Sequence, residues 1–328
     1  MAIRIVVDVM GADRAPGELV AGALAAADRL PIHLIFAGRR RLIEPHLPEE
    51  AHAEILDCEE FVPPDVPPVQ AVRSRATSIA RGLELLAQDK AEAFLSPGNT
   101  GAVVAASLLI LGRLPGAKRP GICASLPTLS GRELLLIDVG ATADPRPEHL
   151  AQFADMGVLY AREALGFSQP RVGLLSIGTE PLKGDKLVRS AHALLAQRPD
   201  FVGNVEPHQL IIERPADVVV TGGFAGNLTI KALEGGAEAT WAALKSAVGG
   251  TLRYKLGAVL LKPALKSLAS KMSYDRYNGA PLLGVRGLVM VAHGRSSSRA
   301  MEAAVERTYW AAKAEVVGRI STALSPDR

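Results

Sequence analysis

Cysteine is nearly absent: Cys58 and Cys123 are the only two in 328 residues. Two thiols cannot build a disulfide framework or a four-ligand zinc cage, and so sparse a use of cysteine fits a reducing cytoplasm. Neither thiol has a histidine or a basic residue placed beside it, so each reads as a small buried hydrophobe and not as a nucleophile. Long apolar stretches are missing too. Nowhere do about eighteen apolar residues follow one another, which excludes a spanning helix and leaves attachment to a membrane surface open. The opening run, "MAIRIVVDVMGAD", is interrupted at once by Asp8 and reads as a first strand, not as a signal peptide. An excess of one charge is lacking as well: 37 basic residues stand against 34 acidic ones, too even a balance to argue for nucleic acid. Cofactor and nucleophile signatures are also absent. No G-x-G-x-x-G, no G-x-x-x-x-G-K-[ST], no G-x-S-x-G and no H-E-x-x-H occurs, so no cofactor and no metal is expected.

What is present is a sequence 48% hydrophobic and 22% charged, enough for a large core. Short apolar runs ending in glycine or polar clusters recur: "IRIVVDVMG", "IHLIFAG", "AFLSPGN", "ELLLIDVG", "RVGLLSIG", "DVVVTGG" and, late in the chain, "GLVMVAHG". Most of them lead into a helical stretch. Continuous apolar strands alternating with helices predict an α/β fold with a doubly wound, mostly parallel sheet. Between 235 and 278 the alternation stops, and two or three helices are expected, broken at Pro263. The expected organisation is therefore one α/β domain over 1–328 with a helical hairpin inserted at 235–278.

In such sheets ligands bind beyond the carboxyl ends of the strands. The turns found there suit an anion: Gly11 to Asp13, Ser96 to Gly101, Gly140 to Thr142, Gly178 with Lys183, and Gly222 to Asn227. Backbone N–H groups in such turns make anion nests, and a lysine adds a compact charge. Any one of them also serves as an ordinary chain reversal. Taken together they point to a site.

Seven segments in order, "DVMGADRAP", "SPGNTGA", "LLIDVGATADPRPEHLAQFADMGVLYA", "VGLLSIGTEPLKGD", "FVGNVE", "GGFAGNLTIKALEG" and "GAPLLGVRGLVMVAHGRSS", resemble the successive motifs of bacterial phosphate acyltransferase. The resemblance implies an α/β/α sandwich of the isocitrate/isopropylmalate dehydrogenase-like kind. It also implies a reaction in which orthophosphate attacks the thioester of an acyl carrier protein, releasing acyl phosphate for phospholipid synthesis. Phosphate is already an anionic nucleophile, so such an enzyme has to hold it and to stabilise the thioester oxyanion. By resemblance Lys183 and Asn227 are the catalytic candidates. Asp8, Gly11, Asp13, Ser96, Asn99, Thr100, Gly101, Asp138, Gly178, Gly223 and His293 are candidates for substrate binding. For Asp138 and His293 an orienting structural role is an equal reading.

The same resemblance implies a homodimer in the cytoplasm, peripherally attached to the membrane through the hairpin. Leu252, Leu256, Val259 and Leu260 are the expected membrane contacts, with nearby lysines facing anionic lipid. A basic run, Arg39 to Arg41, is a further candidate contact for the acidic carrier protein, or simply a solvated helix start. The chain departs from the family's usual residues at Ala12, Ser176, Thr179, Pro207, Gly222 and Asn278. Two alternatives follow: a divergent phosphotransacylase using acyl-CoA, and a non-catalytic membrane-associated member of the family.

Overall fold

The apolar runs fold as strands, and the segments between them as helices, in a computed structural model that describes residues 2–63, 65–249, 252–271 and 274–325. The strands are β1 (Ile3–Asp8), β2 (Ile32–Gly38), β3 (Ala53–Asp57), β4 (Ala93–Ser96), β5 (Gly121–Leu126), β6 (Leu134–Ile137), β7 (Val172–Leu175), β8 (Phe201–Val205), β9 (Val218–Val220), β10 (Ala280–Leu283) and β11 (Leu288–Val291). The helices are α1 (Pro16–Ala27), α2 (Arg40–Ile43), α3 (Pro68–Ala71), α4 (Ser78–Ala87), α5 (Thr100–Ile110), α6 (Pro147–Glu163), α7 (Lys186–Leu195), α8 (Pro207–Ile212), α9 (Gly223–Gly249), α10 (Leu252–Lys271), α11 (Ser298–Lys313) and α12 (Val316–Leu324).

The 11 strands form one sheet in the order β3-β2-β1-β4-β11-β10-β5-β6-β9-β7-β8. From β3 to β11 every pairing is parallel, and so is every pairing from β6 to β8. Between these two halves lie three antiparallel steps, β11 to β10, β10 to β5 and β5 to β6. The halves therefore point in opposite directions, and their carboxyl ends lie toward opposite edges of the sheet. β10 joins them by dividing its own pairing: Ala280 and Pro281 pair with β11, while Leu282 and Leu283 pair with β5.

Both faces of the sheet are covered, which is why its strands read as unbroken apolar runs. Along β1, Ile5 and Val7 belong to one core with Leu19, Phe153 and Met301, whereas Val6 belongs to the other with Leu83, Phe94 and Val103. The expected α/β sheet, doubly wound and mostly parallel, is the observed one.

The helical region differs from expectation at two points. α9 begins at Gly223, directly after β9, and not at 235. Pro263 does not break the second helix, because α10 runs through it. Pro263 removes one N–H from the helical ladder, and at an exposed position the carbonyl left over can turn to water. Two departures from the family pattern also find a local account. Gly11 carries the positive φ of its turn and Ala12 does not, and Gly279, not Asn278, carries it in the later turn. Pro207 occupies the first turn of α8, where a missing N–H costs nothing. The basic run at the start of α2 is engaged locally: Arg39 donates to the Glu59 carbonyl and lies over the Phe61 ring, and Arg40 pairs with Glu44 and Asp57.

One buried ion pair ties the two halves together. Arg307 on α11, a helix that packs on β1, β4 and β11, donates to Ser125 Oγ on β5 at 2.8 Å and to Glu133 Oε2 just before β6 at 2.9 Å. The two side chains are only 11% and 17% exposed. Removing one partner of such a pair leaves the other charge stranded, at a cost of about 3–5 kcal/mol. Arg307→Ala is therefore expected to lower the urea midpoint sharply, while the double replacement Arg307→Leu with Glu133→Leu regains most of the loss. An Arg307→Ala protein as stable as the wild type would show that the pair does not hold the halves.

Candidate active site

At the carboxyl ends of the first half, side chains are used to build turns. Asp8 ends β1 and is fully buried; it accepts from Ser96 Oγ at 2.7 Å and from the Met10 N–H at 3.0 Å. Ser96, also buried, accepts in turn from the Gly98 N–H. Gly11 has φ +71°, and a Cβ there would lie 2.8 Å from the Val62 carbonyl oxygen, so the turn admits only glycine. Asn99 caps α5: its Oδ1 accepts from the Ala102 N–H, and its amide donates to the Val66 carbonyl. The Asp13 N–H donates to the Gly294 carbonyl at 3.0 Å, joining the β1 turn to the turn after β11. That last turn carries His293. Its N–H donates to Asn278 Oδ1, and Asn278 is itself anchored to Ser296 Oγ and the Ala300 carbonyl.

The second half gathers another set of turns. Asp138, following β6, is fully buried and accepts four backbone N–H groups, from Ile122, Gly140, Ala141 and Thr142, at 2.6–2.9 Å. Burial is the strongest influence on its pKa and raises it, while the four donors favour the anion. Gly223 and Gly226 let the start of α9 close on this turn, since a Cβ at Gly226 would lie 2.0 Å from the Asp138 carbonyl oxygen. Asn227 donates to the Val139 carbonyl at 3.0 Å. Near this set, where a Cβ at Gly222 would meet Pro145 at 3.0 Å and Leu187 of α7 at 3.8 Å, is the turn that leads from β7 into α7. There Lys183 is exposed, its stem folded over Gly178. Its N–H and the Asn204 amide both donate to the Glu180 carbonyl, which fixes the turn. Ser176 Oγ at the base of this turn is buried and has no hydrogen-bond partner among the described residues.

Between the two sets lies a cavity of about 570 Å³, roofed by α9 and floored by β5 and β10. Its apolar wall includes Ile122, Leu126, Val139, Ile230 and Trp241. Asn227 stands on its lining with Thr100 and His293. The carboxylates Asp8 and Asp138 do not line it, nor does Ser96. These three, expected to bind substrate, are buried and hydrogen-bonded within the turns. Lys183 and Gly178 lie in the adjoining turn and not on the cavity wall.

Sequence reasoning missed Lys231, Glu234 and Arg295, all of which line the cavity. Lys231 Nζ donates to Glu234 Oε2 at 2.9 Å and stands 3.5 Å from His293 Nε2, while Glu234 Oε1 lies 3.7 Å from the same nitrogen. Burial alone would raise the Glu234 carboxyl, but hydrogen bonds and charge from His293 and Lys231 outweigh it and hold it down at about 2. The signal was present. Asn227, Lys231 and Glu234 follow one another at i, i+4 and i+7, a single helix face, hidden when the helix is taken to start at 235.

A large sheet of this order gives the class: an α/β fold shared with phosphotransacylases. A phosphotransacetylase from Streptococcus pyogenes superposes with TM-score 0.59 at 17% identity, covering 95% of this chain and 94% of that one. A branched-chain phosphotransacylase from Enterococcus faecalis gives 0.59 at 14% identity, over 94% and 99%. These likenesses are of fold. Sequence is more specific. The family described as fatty acid synthesis protein matches residues 3–319, and the chain belongs to it. Curated phosphate acyltransferases share much of the sequence: that of Desulfitobacterium hafniense is 45% identical over 304 residues, 91% of this chain and 90% of the relative. That of Bacillus subtilis is 40% identical over 310 residues, 93% of each. The chain is an acyltransferase, and the chemistry its family supports is acyl transfer to phosphate.

The buried Asp8 carries a measurable consequence. Burial is the strongest influence on its carboxyl and pushes it from 3.8 up to about 6, against the hydrogen bonds that pull it down. Between those values the folded state binds more protons than the unfolded one, so this group makes stability fall as pH rises through that window. The effect is on the order of 3 kcal/mol. Asp8→Asn removes the charge; its amide oxygen still accepts from the Met10 N–H, and its NH2 donates to Ser96 Oγ where the carboxylate accepted. The difference in unfolding free energy between wild type and Asp8→Asn is expected to shift in favour of Asp8→Asn between about pH 4 and pH 6; a difference independent of pH would contradict this.

Proposed function

We propose that this protein transfers the acyl group of an acyl carrier protein thioester to orthophosphate, releasing acyl phosphate and the carrier thiol, and so supplies an activated acyl donor to phospholipid synthesis. The observation that carries this reading is the cavity under α9: mostly apolar, wide enough for the start of an acyl chain, and bordered at Asn227 by turns rich in N–H groups. Phosphate binds at the turns of the second half. Lys183 contributes its charge there with the N–H groups about Gly178, and the unpartnered Ser176 hydroxyl offers a donor at the base of the turn. Asn227 has two amide hydrogens. One goes to Val139, and the other serves the reacting groups across the cavity wall. Thr100, Gly101 and Asp13 border the thioester arm at the first-half turns.

Phosphate-dependent release of thiol from palmitoyl carrier protein, with palmitoyl-CoA as a parallel donor, tests the reading directly. Release from the carrier protein is expected. Preference for the CoA thioester would favour the divergent phosphotransacylase, and no release from either would favour a non-catalytic member. Lys183→Ala is expected to lower turnover at least about 100-fold with an unchanged melting temperature, because an exposed cation contributes to transition-state charge and not to the core. Undiminished turnover would remove its assignment.

The hairpin gives the protein a membrane contact and, in a homodimer, a contact between copies. On α10, Val259, Leu260 and Leu261 are exposed, with Lys262 and Lys266 exposed beside them. Among the described residues no helix is long and apolar enough to cross a membrane, so the contact is with the surface. The Leu252 and Leu256 side chains, expected to share it, lie outside the described residues. Val259→Asp with Leu260→Asp is expected to abolish sedimentation with anionic vesicles while leaving turnover of soluble substrate unchanged. Persistent sedimentation would leave the hairpin a contact between copies alone.

A further inference from the structure

Toward the cavity, α9 presents a single stripe. Asn227, Ile230, Glu234, Ala237 and Trp241 recur at steps of three or four and form the roof, with Lys231 and Glu238 along one edge. Trp241 is the last residue of α9 on the lining. Between Asn227 and Trp241 the helix rises about 21 Å. The floor beneath is Ile122, Ala124 and Leu126, alternate residues that share one face of β5. Asn227 is tied to the Ile122 end of that floor: its amide donates to the Val139 carbonyl, and the Val139 N–H donates to the Ile122 carbonyl.

The charged side chains at the edge are paired, Lys231 with Glu234 and Arg295 with Glu238. The cavity is therefore a trough, apolar on its floor and along much of its roof, that starts at Asn227 and finishes at an indole. That indole is 44% exposed, so it borders the end of the trough without sealing it. A trough of this length fits an acyl chain. The hydrocarbon core of a bilayer, about 30 Å thick, holds two acyl chains end to end, so one chain of membrane length spans about 15 Å. Side chains on a helix lean toward its N-terminus, so the indole reaches back toward Asn227 and narrows the difference. A membrane-length chain whose carbonyl lies by Asn227 meets the indole, and a chain half as long ends short of it.

We infer that the acyl chain of the thioester lies lengthwise beneath α9, and that Trp241 discriminates long chains from short ones by covering the far methylenes; this rests on the acyl-transfer reading above. Each methylene taken out of water adds to binding. The far end of the chain is remote from the reacting carbonyl, so its contact with the indole is the same before and during the reaction. Trp241 therefore lowers KM for long-chain donors and leaves kcat unchanged.

Steady-state kinetics of the full chain with palmitoyl and octanoyl carrier protein, at saturating phosphate, tests this. Trp241→Ala is expected to raise KM for the palmitoyl donor about tenfold, with kcat and the octanoyl KM unchanged. Trp241→Leu, which keeps an apolar contact, regains most of the loss. A second readout needs no turnover. The chain has two tryptophans, and Trp310→Phe leaves Trp241 as the single emitter. Palmitate brominated at its terminal carbon is expected to quench that emission, and octanoate brominated at its terminal carbon is not. Equal losses with the two donors, no loss with either, or a Trp241 emission untouched by the brominated palmitate each overturn the inference. A wild type without phosphate-dependent thiol release removes the acyl-transfer reading and the discrimination with it, whereas an active wild type whose Trp241→Ala variant treats the two donors alike removes the discrimination alone.

Discussion

Backbone hydrogen bonding at the middle of the sheet is the constraint on which the rest of this protein depends. Two parallel half-sheets of opposite direction meet here through two strands that run both ways between them. β10 and β5 perform that reversal, and the four residues of β10 divide their partners between β11 and β5. Buried N–H and C=O groups have no water to turn to, so every residue of the seam must be paired. Because the seam is antiparallel, no crossover helix covers it from its own half. α9 arrives from the far side instead, and the space left beneath it is the cavity.

The site follows from that arrangement more than from any one motif. Parallel strands deliver turns at their carboxyl ends, and the buried carboxylates Asp8 and Asp138 organise those turns by collecting N–H groups. A carboxylate in such a place repels an anionic substrate less than its charge suggests, since its N–H donors neutralise much of its field. Glu234 works differently. It stands on the cavity wall beside Lys231 and His293, and its charge is offset by Lys231. The apolar chamber thus has a polar rim on which the Glu234 charge is offset locally by Lys231.

How much of this could be read from the sequence depended on how loudly each element announced itself. β1, β2, β4, β6, β7, β9 and β11 are apolar runs bounded by turn formers, and all were legible. β5, "GICASL", and β10, "APLL", were not, because small residues make no apolar run and a proline argues against a strand in the middle of a sheet. Gly121 makes the point: a side chain there would meet Ile137 and Phe153. Without those two strands the reversal between halves is invisible, and with it the reason that Lys183 and His293 belong to different ends of one arrangement. Motif residues were found wherever they sit in turns. Their roles were not, since burial decides whether Asp8 touches a ligand or a backbone. The departures at Thr179 and Gly222 have no structural account.

α9 is one unbroken helix of 27 residues, about 40 Å long at 1.5 Å per residue. Asn227 lies near its start, Lys231 and Glu234 roof the cavity, and α10, which carries Val259 and Leu260, packs against it. A rod held at one end gears its motions unequally: a tilt of about 5° about Gly223 carries the far end some 3 to 4 Å but shifts Asn227 by only about 0.5 Å. A large displacement at the far end is thus reduced to a fine adjustment at Asn227. The far end of the helix can therefore move while the side chains near its start stay in register.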